Sequence, residues 1–196
     1  MGFGVVLDTC VLYPMSLCDA LLRLAERELF DPYWSDRILG ELRRALRDGG
    51  LTEDQAEGRI RRMRRAFPAA EVSAPAIARL EAAMTNDPKD RHVLAAAVVS
   101  PADAIVTRNV RHFAHDACAP YDIEVVHPDR FLLQLHDLDP RTVEATIAAQ
   151  AAALTRPPIT RSELATMLER AGVPAFARRL QPAPATAPAP SRPGLP

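Results

Sequence analysis

Long hydrophobic runs are missing from this 196-residue sequence, because no apolar stretch reaches the roughly 18 residues that a membrane-spanning helix needs. The amino-terminal segment has no basic leader before Asp8, so we expect neither a secretory signal nor a membrane anchor. Cysteine is scarce, and the three thiols at positions 10, 18 and 118 show no metal-ligand spacing. We therefore expect reduced cysteines in a cytoplasmic protein with no membrane partner.

The sequence also lacks an excess of either charge, since 24 basic residues face 25 acidic ones. A net charge of -1 excludes a strong overall attraction to polyanions. No phosphate-binding P-loop, dinucleotide fingerprint or serine nucleophile elbow is present. Hydrophobic residues make up 48% of the chain, which excludes a wholly disordered protein and fits one ordinary domain with an appendage.

Short apolar runs alternate with helical patterns over the first two thirds of the chain. The runs at 5–7, 104–107 and 123–126 predict buried strands, and Val72 indicates a further short one. Apolar residues at helical spacing, with capping residues and breakers at the ends, predict helices near 14–24, 35–48, 52–67, 75–84 and 91–99. This alternation favours an α/β fold with a parallel sheet covered on both faces.

The pattern changes after Asp139, where only helices are predicted, at 140–154 and 160–170. The last 16 residues are rich in proline and alanine and have no core-forming pattern, so we expect a disordered tail. The predicted organisation is a domain at 1–137, a helical extension at 138–180 and a tail at 181–196.

Polar side chains stand where two of the predicted strands end. Asp8 and Thr9 follow the first strand, and Thr107 and Asn109 stand at the end of the strand at 104–107. Ligands of open α/β sheets bind beyond the carboxyl ends of the strands, so these side chains would point into a crevice. The alternatives are that Asp8 only caps the next turn and that Asn109 is only a turn residue.

Further acids stand in or before two predicted helices. Glu41 lies on or beside the buried stripe of its helix, where a carboxylate is costly unless it is paired or bound to a cation. Its alternative is a surface pair with Arg44. Asp90 opens an alanine-rich helix, where the helix dipole alone would favour an acid. Asp87 can be explained as the cap of that helix, with Pro88 as its first residue.

Together these residues predict one acidic cluster of Asp8, Glu41 and Asp90. Three adjacent carboxylates repel one another by an amount on the order of several kcal/mol unless a cation neutralises them. Carboxylate and amide oxygens suit a hard dication such as Mg²⁺ or Mn²⁺. The five histidines lack the ligand spacing of a zinc site.

The order of these segments resembles a PIN domain, in particular the subgroup of VapC-type toxins. The family's first three acids fall on Asp8, Glu41 and Asp90, and the fourth position, often an aspartate, falls on Asn109. This departure leaves one fewer negative charge, which weakens the expected metal site without abolishing it. The helices after residue 138 resemble the C-terminal extension of some members. The resemblance spans about residues 3–135 and rests on VVLDTCVLYP, SDRILGELRRAL, DPKDRHVLAAAV, ADAIVTRNVRHF and YDIEVVHPDRFL.

This resemblance implies a three-layer α/β/α fold with four or five parallel strands. It also implies hydrolysis of RNA phosphodiester bonds with Mg²⁺ or Mn²⁺, by a toxin that a cognate antitoxin protein neutralises. Asp8 and Asp90 would be the primary metal ligands, with Glu41 bound directly or through water. Hydrogen bonds that support these ligands would come from Thr9, Thr107 and Asn109. Asp87 would be an auxiliary acid. A homodimer is also expected to be possible.

An acidic site needs basic surroundings to bind RNA. Five arginines fall within residues 59–65, and two more follow the strand at 104–107. A solvated helix face is the alternative for each of them. The candidate RNA-binding residues are Arg61, Arg62, Arg65, Arg108 and Arg111. Candidates for stacking on bases, with core packing or antitoxin contact as the alternative, are Tyr13, Tyr33 and Trp34.

Three functions remain open at this point. The first is the metal-dependent endoribonuclease toxin. The second is a catalytically weak PIN module that binds RNA or a partner protein without cleaving, and Asn109 is its best support. The third is a structure-specific DNA nuclease, which normally needs larger helical arches or extra domains that 196 residues barely allow.

Overall fold

A single five-stranded parallel sheet forms the centre of the computed structural model, which describes residues 2–181. The sheet confirms the predicted three-layer α/β/α fold, and its strand order is β3-β2-β1-β4-β5. From residue 182 onward the predicted tail lies outside the described residues. The strands are β1 (Gly4–Leu7), β2 (Asp31–Ser35), β3 (Glu71–Val72), β4 (Ala104–Val106) and β5 (Glu124–Val126).

Helices surround this sheet, and two short 3₁₀ turns, Val110–His112 and Ala119–Tyr121, connect β4 to β5. The helix at 91–99 has the predicted bounds, and Ser35 caps its helix as expected, because its hydroxyl accepts from the Ile38 amide at 3.1 Å. The helices are α1 (Thr9–Leu12), α2 (Met15–Ala25), α3 (Asp36–Asp48), α4 (Glu53–Ala66), α5 (Ala74–Glu81), α6 (Arg91–Val99), α7 (His115–Cys118), α8 (Pro128–Leu138), α9 (Pro140–Ala153), α10 (Arg161–Arg170) and α11 (Pro174–Arg179).

The direction in which successive strands are added to the sheet reverses at β1. The chain adds β2 and then β3 on one side of β1, and places β4 and then β5 on its other side. Neighbouring helices diverge at such a point, which leaves a crevice at the carboxyl ends of the two strands. In the register of the sheet Leu7 lies beside Val106, so the residues that follow them meet at this crevice.

Strand β2 was not predicted, because Pro32 and the polar residues around it resemble a break rather than a strand. Long-range packing decides its structure. Trp34 is fully buried and meets the ring of Phe67 edge to face, with centroids 6.0 Å apart. The suggestion that Trp34 stacks on bases is therefore wrong.

The C-terminal helices pack against α2 and α8. Gln150 is buried in α9, and its Nε2 donates to the Ser16 carbonyl at 2.9 Å, which links α9 to α2. The Asp129 carboxylate accepts from the amides of Ala175 and Phe176 at 3.0 and 2.8 Å, which caps α11. The sequence did not predict α8 or α11. The boundary between residues 137 and 138 stays a prediction.

Within residues 2–181, no helix combines the length and the apolar character that crossing a membrane requires.

Gly4 is expected to be indispensable for the start of β1. A Cβ at this position would overlap the Pro101 carbonyl oxygen and lie 2.9 Å from the Ala102 Cα, both backbone atoms. We expect Gly4→Ala to lower the free energy of unfolding by about 1–3 kcal/mol, measured by urea denaturation. The control is Gly40→Ala in α3, where nothing lies within 4 Å of the new Cβ and a gain of about 0.5–1 kcal/mol is expected. Equal midpoints for the two variants would contradict this account.

Candidate active site

Asp8 and Thr107 meet in the crevice where β1 and β4 end. The Thr107 hydroxyl donates to Asp8 Oδ2 at 2.6 Å, and both residues are buried. The Asp8 side chain makes no capping hydrogen bond to α1. The alternative that Asp8 serves as a helix cap therefore has no support, and the carboxylate is held by a side chain of the neighbouring strand end.

Cys10 is a third member of this group, and the sequence pattern did not predict it. Its thiol donates to Asp8 Oδ2 at 3.1 Å and lies 3.3 Å from the Thr107 hydroxyl, while its sulfur accepts from the Arg108 amide at 3.1 Å. Burial, with the nearby Asp8 charge, raises the pKa of Cys10 to about 12. The thiol is thus a neutral hydrogen-bond donor rather than a nucleophile.

Burial raises the pKa of Asp8, and the negative charge of Asp90 raises it further. The hydrogen bonds from Thr107 and Cys10 act in the opposite direction without cancelling this rise. No basic side chain is among the groups of the described residues that shift this pKa. Asp8 is consequently a carboxylate whose ionised form lacks a compensating positive charge.

Asp90 occupies the position just before α6 and makes no capping hydrogen bond of its own. Its Oδ2 lies 2.6 Å from Nδ1 of His112, a residue that the sequence analysis did not assign to the site. The turn that places the two together is fixed by the backbone, since the Asp87 amide donates to the His112 carbonyl at 3.0 Å. Its position three residues after Asn109 was the only sequence signal for His112.

The suggestion that Asp87 caps α6, with Pro88 as its first residue, is wrong. The helix begins at Arg91, and Asp87 Oδ1 accepts from the Lys89 amide at 3.0 Å inside the preceding turn. This turn is closed by the Asp90 amide, which donates to the Asp87 carbonyl at 2.9 Å. A role for Asp87 as an auxiliary acid stays a prediction.

Glu41 is half-buried beside the same crevice. The Thr9 hydroxyl donates to its Oε2 at 3.2 Å, and Nε2 of the buried His92 lies 3.2 Å from its Oε1. Burial pushes the pKa of Glu41 upward, but the contacts with His92, Thr9 and Arg37 together outweigh burial and lower it. Glu41 is therefore ionised and partly neutralised by Arg37, at 3.7 Å, and not by the Arg44 of the alternative.

Asn109 follows Thr107 at the start of the 3₁₀ turn. Its backbone amide donates to the Thr107 hydroxyl oxygen at 3.0 Å, which orients that hydroxyl toward Asp8. The Thr107 hydroxyl thus accepts a hydrogen bond from the Asn109 amide and donates one to the Asp8 carboxylate. This contact places the backbone of Asn109 next to the acidic group. A catalytic role for the Asn109 side chain stays a prediction.

The donor set at the crevice fits a hydrated hard dication. Among residues 2–181, no three His, Cys, Asp or Glu side chains form a ready-made metal-binding group. Mg²⁺ typically keeps several waters and binds one or two carboxylates. Asp8 and Asp90 are two such oxygen ligands, and they are close enough for the charge of one to raise the pKa of the other. The assignment of Asp8, Asp90 and Glu41 as metal ligands stays a prediction.

The arginines of α4 differ in what they contact. Arg59 is buried and donates to the carbonyls of Leu12 and Tyr13, so it supports α1 instead of facing solvent. Arg64 pairs with Asp36 and Glu71 at 2.7 and 2.8 Å. The remaining candidates are exposed, and RNA binding by them stays a prediction; they are Arg61, Arg62, Arg65, Arg108 and Arg111.

Comparisons with known proteins agree with this fold. A family model described as PIN domain matches residues 4–111, and one described as VapC50 C-terminal domain matches residues 128–182. A Mycobacterium tuberculosis H37Rv protein named "Putative ribonuclease VapC50" is 48% identical over 106 residues, which cover 53% of this chain and 62% of that protein. The match thus spans less than two thirds of this relative's length. No solved structure matches the chain.

The fold and the site define a class of protein, the parallel α/β domain with an acidic crevice at the reversal of its strand order. The chain belongs to the PIN-domain family, in its VapC-type group with a C-terminal extension. The second match begins at residue 128 and includes α8, ten residues before the predicted start of the extension.

Proposed function

We propose that this protein is a metal-dependent endoribonuclease and the toxin of a toxin–antitoxin pair. One observation carries the proposal: Asp8 is buried at the reversal of the strand order without a compensating cation, within reach of the charge of Asp90. A pair of carboxylates that repel each other in a crevice is costly to maintain unless a ligand uses it. A dication, Mg²⁺ or Mn²⁺, is the ligand that relieves this repulsion.

In this proposal Asp8 and Asp90 hold the ion, and Thr107 and Cys10 fix the orientation of Asp8 by their hydrogen bonds. When bound, the ion supplies Lewis-acid stabilisation of the phosphate and eases ionisation of water. Glu41 either binds the ion directly or acts through water, in which case it orients the attacking water. Water attacks the phosphorus and the 3′ oxygen departs with a proton, which leaves a 5′-phosphate and a 3′-hydroxyl.

The substrate and partners follow from the relative and the family, and they are part of the proposal. The name of the Mycobacterium tuberculosis relative describes a ribonuclease. RNA is therefore the proposed substrate, and a cognate antitoxin protein is the proposed partner. A cytoplasmic location and a homodimer are consistent with this function.

The experiment that tests the function is cleavage of labelled oligonucleotides by the purified protein. We expect cleavage of single-stranded RNA with Mg²⁺ or Mn²⁺, none in EDTA, and none of DNA with the same base sequence. The 5′ ends of the products should be phosphorylated, so that they resist labelling by polynucleotide kinase until they are dephosphorylated.

Each alternative function predicts a different outcome of this assay. Binding of RNA without cleavage under any divalent ion would favour a PIN module that is catalytically weak. Asn109→Asp would then be the first variant to test for a gain of cleavage. Preferred cleavage of DNA would favour a DNA nuclease.

A further inference from the structure

Arg108 lies directly beside the acidic crevice. It follows Thr107, and its backbone amide donates to Cys10 Sγ at 3.1 Å, while Cys10 donates to Asp8. Its side chain is exposed, and the ion pairs within residues 2–181 involve other arginines. The Arg108 guanidinium is thus a positive charge without an ion-pair partner among the described residues. The Arg108 backbone amide is linked to the Asp8 carboxylate through the Cys10 thiol.

The side chain of Arg108 lies beside the turn between α10 and α11. Gly172 follows the end of α10 with a φ of +94°, and a Cβ added at this position would lie 3.4, 3.6 and 3.9 Å from Nε, Cζ and Cδ of Arg108. Such an added atom would make ordinary van der Waals contact with the guanidinium end of the side chain. The guanidinium end of Arg108 is therefore a close neighbour of the Gly172 backbone.

Gly172 is itself held firmly relative to the crevice. The neighbouring Val173 is fully buried, and its amide donates to the Leu168 carbonyl at 3.2 Å. Helix α10 also bonds to the start of α2, where the Ser16 hydroxyl donates to the Met167 carbonyl at 3.4 Å. The start of α11 is held by the Asp129 carboxylate of α8. These contacts fix the turn between α10 and α11 that lies beside Arg108.

We propose that the C-terminal extension forms part of the substrate site, because its α10–α11 turn positions Arg108 to bind a phosphate of the RNA backbone. The inference rests on the proposed function and assigns a role to the extension within it. An RNA strand that approaches Asp8 and Asp90 meets repulsion, which an adjacent guanidinium offsets. A planar guanidinium binds phosphate oxygens through paired hydrogen bonds, and a side chain that is already ordered loses less entropy on binding.

The chain offers a matched pair of glycines for testing this role. Gly172 and Gly50 both follow the end of a helix with nearly equal φ, +94° and +96°, and nothing lies within 4 Å of a Cβ at Gly50. Asp and Asn tolerate this conformation better than other residues. Gly172→Asp places a carboxylate against Arg108 and neutralises it, Gly172→Asn fills the space without charge, and Gly50→Asp reproduces the backbone and charge change elsewhere.

The measurement is binding of a fluorescent single-stranded RNA in EDTA, by anisotropy, over a range of salt concentrations. We expect Gly172→Asp to weaken binding about tenfold and to reduce the slope of log K against log salt by about 0.7, as one lost phosphate contact requires. Arg108→Ala should do the same, and adding the uncharged Gly172→Asn to Arg108→Ala should weaken binding no further, because the asparagine acts only through the Arg108 side chain. Gly172→Asn should fall between the wild type and Gly172→Asp, and Gly50→Asp should bind like the wild type.

Binding by Gly172→Asp equal to that of Gly50→Asp overturns the inference, and so do additive effects of Gly172→Asn and Arg108→Ala. Melting temperatures of the two Asp variants check that both are folded, since their backbone strain is the same. If the wild type cleaves RNA while Gly172→Asp binds normally, the inference alone fails. If the wild type neither binds nor cleaves RNA, the proposed function fails, and the role of the extension fails with it.

Discussion

Asp8→Asn is expected to abolish cleavage and, in the absence of metal, to make the protein more stable. The loss of a metal ligand removes several kcal/mol of transition-state stabilisation, and each 1.4 kcal/mol is tenfold in rate, so we expect about a thousandfold loss. The gain in stability arises because Asn keeps an acceptor for the Thr107 hydroxyl but has no charge to bury.

The gain in stability should depend on pH in a definite direction. Because the folded protein raises the pKa of Asp8 above its ordinary value of 3.8, the folded state binds this proton more tightly than the unfolded chain. Ionised Asp8 therefore costs stability once the pH exceeds the ordinary value, and the full cost is reached above the raised pKa. In EDTA, the excess melting temperature of Asp8→Asn over the wild type should be small at pH 4 and larger at pH 7.5.

The matched control is Asp48→Asn at the exposed end of α3, where the described structure shows no hydrogen bond or ion pair to the carboxylate. It should leave both cleavage and the pH dependence of melting unchanged. An Asp8→Asn variant that cleaves RNA at the wild-type rate would refute the assignment of Asp8. A metal-free variant less stable than the wild type at pH 7.5 would refute the argument from its buried charge.

Mg²⁺ or Mn²⁺ is expected to raise the melting temperature of the wild type and to leave the Asp8→Asn/Asp90→Asn double variant unaffected. A ligand at 100 times its Kd stabilises the folded state by about 2.7 kcal/mol. For a chain of this length each kcal/mol is worth about 2–4 °C, which gives a shift of about 5–10 °C. Differential scanning fluorimetry with and without EDTA measures it, independently of any RNA substrate.

Asp48→Asn/Asp116→Asn removes the same two charges at other positions and should keep the full shift. A shift of equal size in the double variant at Asp8 and Asp90 would show that the ion binds elsewhere. Glu41→Gln distinguishes the two roles proposed for Glu41, since a directly bound carboxylate contributes to the thermal shift and one that only orients water does not.

The sequence predicted the parts of the fold that are encoded locally. The caps and breakers of α3 and α4 and the apolar runs of β1 and β4 are short-range signals, and the structure confirms each of them. The segment of β2 was missed because its strand structure depends on the burial of Trp34 against α4 and its end, at Phe67. Local pattern carries no information about such a contact.

The candidate site divides in the same way. Asp8 and Thr107 could be predicted, because a polar residue directly after a buried strand must lie at the edge of the sheet. Cys10, His92 and His112 could not, because their role comes from neighbours up to 98 residues away in the chain. A cysteine or histidine is ordinary in its own segment, and only contact with a site carboxylate distinguishes it.

By itself the sequence determined the parallel α/β core, the acids at the ends of its elements and the helical extension, since hydrophobic periodicity and capping act over a few residues. Only the tertiary structure decided which side chains share the crevice, that Asp87 forms a turn instead of a cap, and that Gly172 lies against Arg108. The physical reason is that hydrogen bonds and charge interactions depend on distances of a few ångströms, which chain folding sets between residues far apart in sequence.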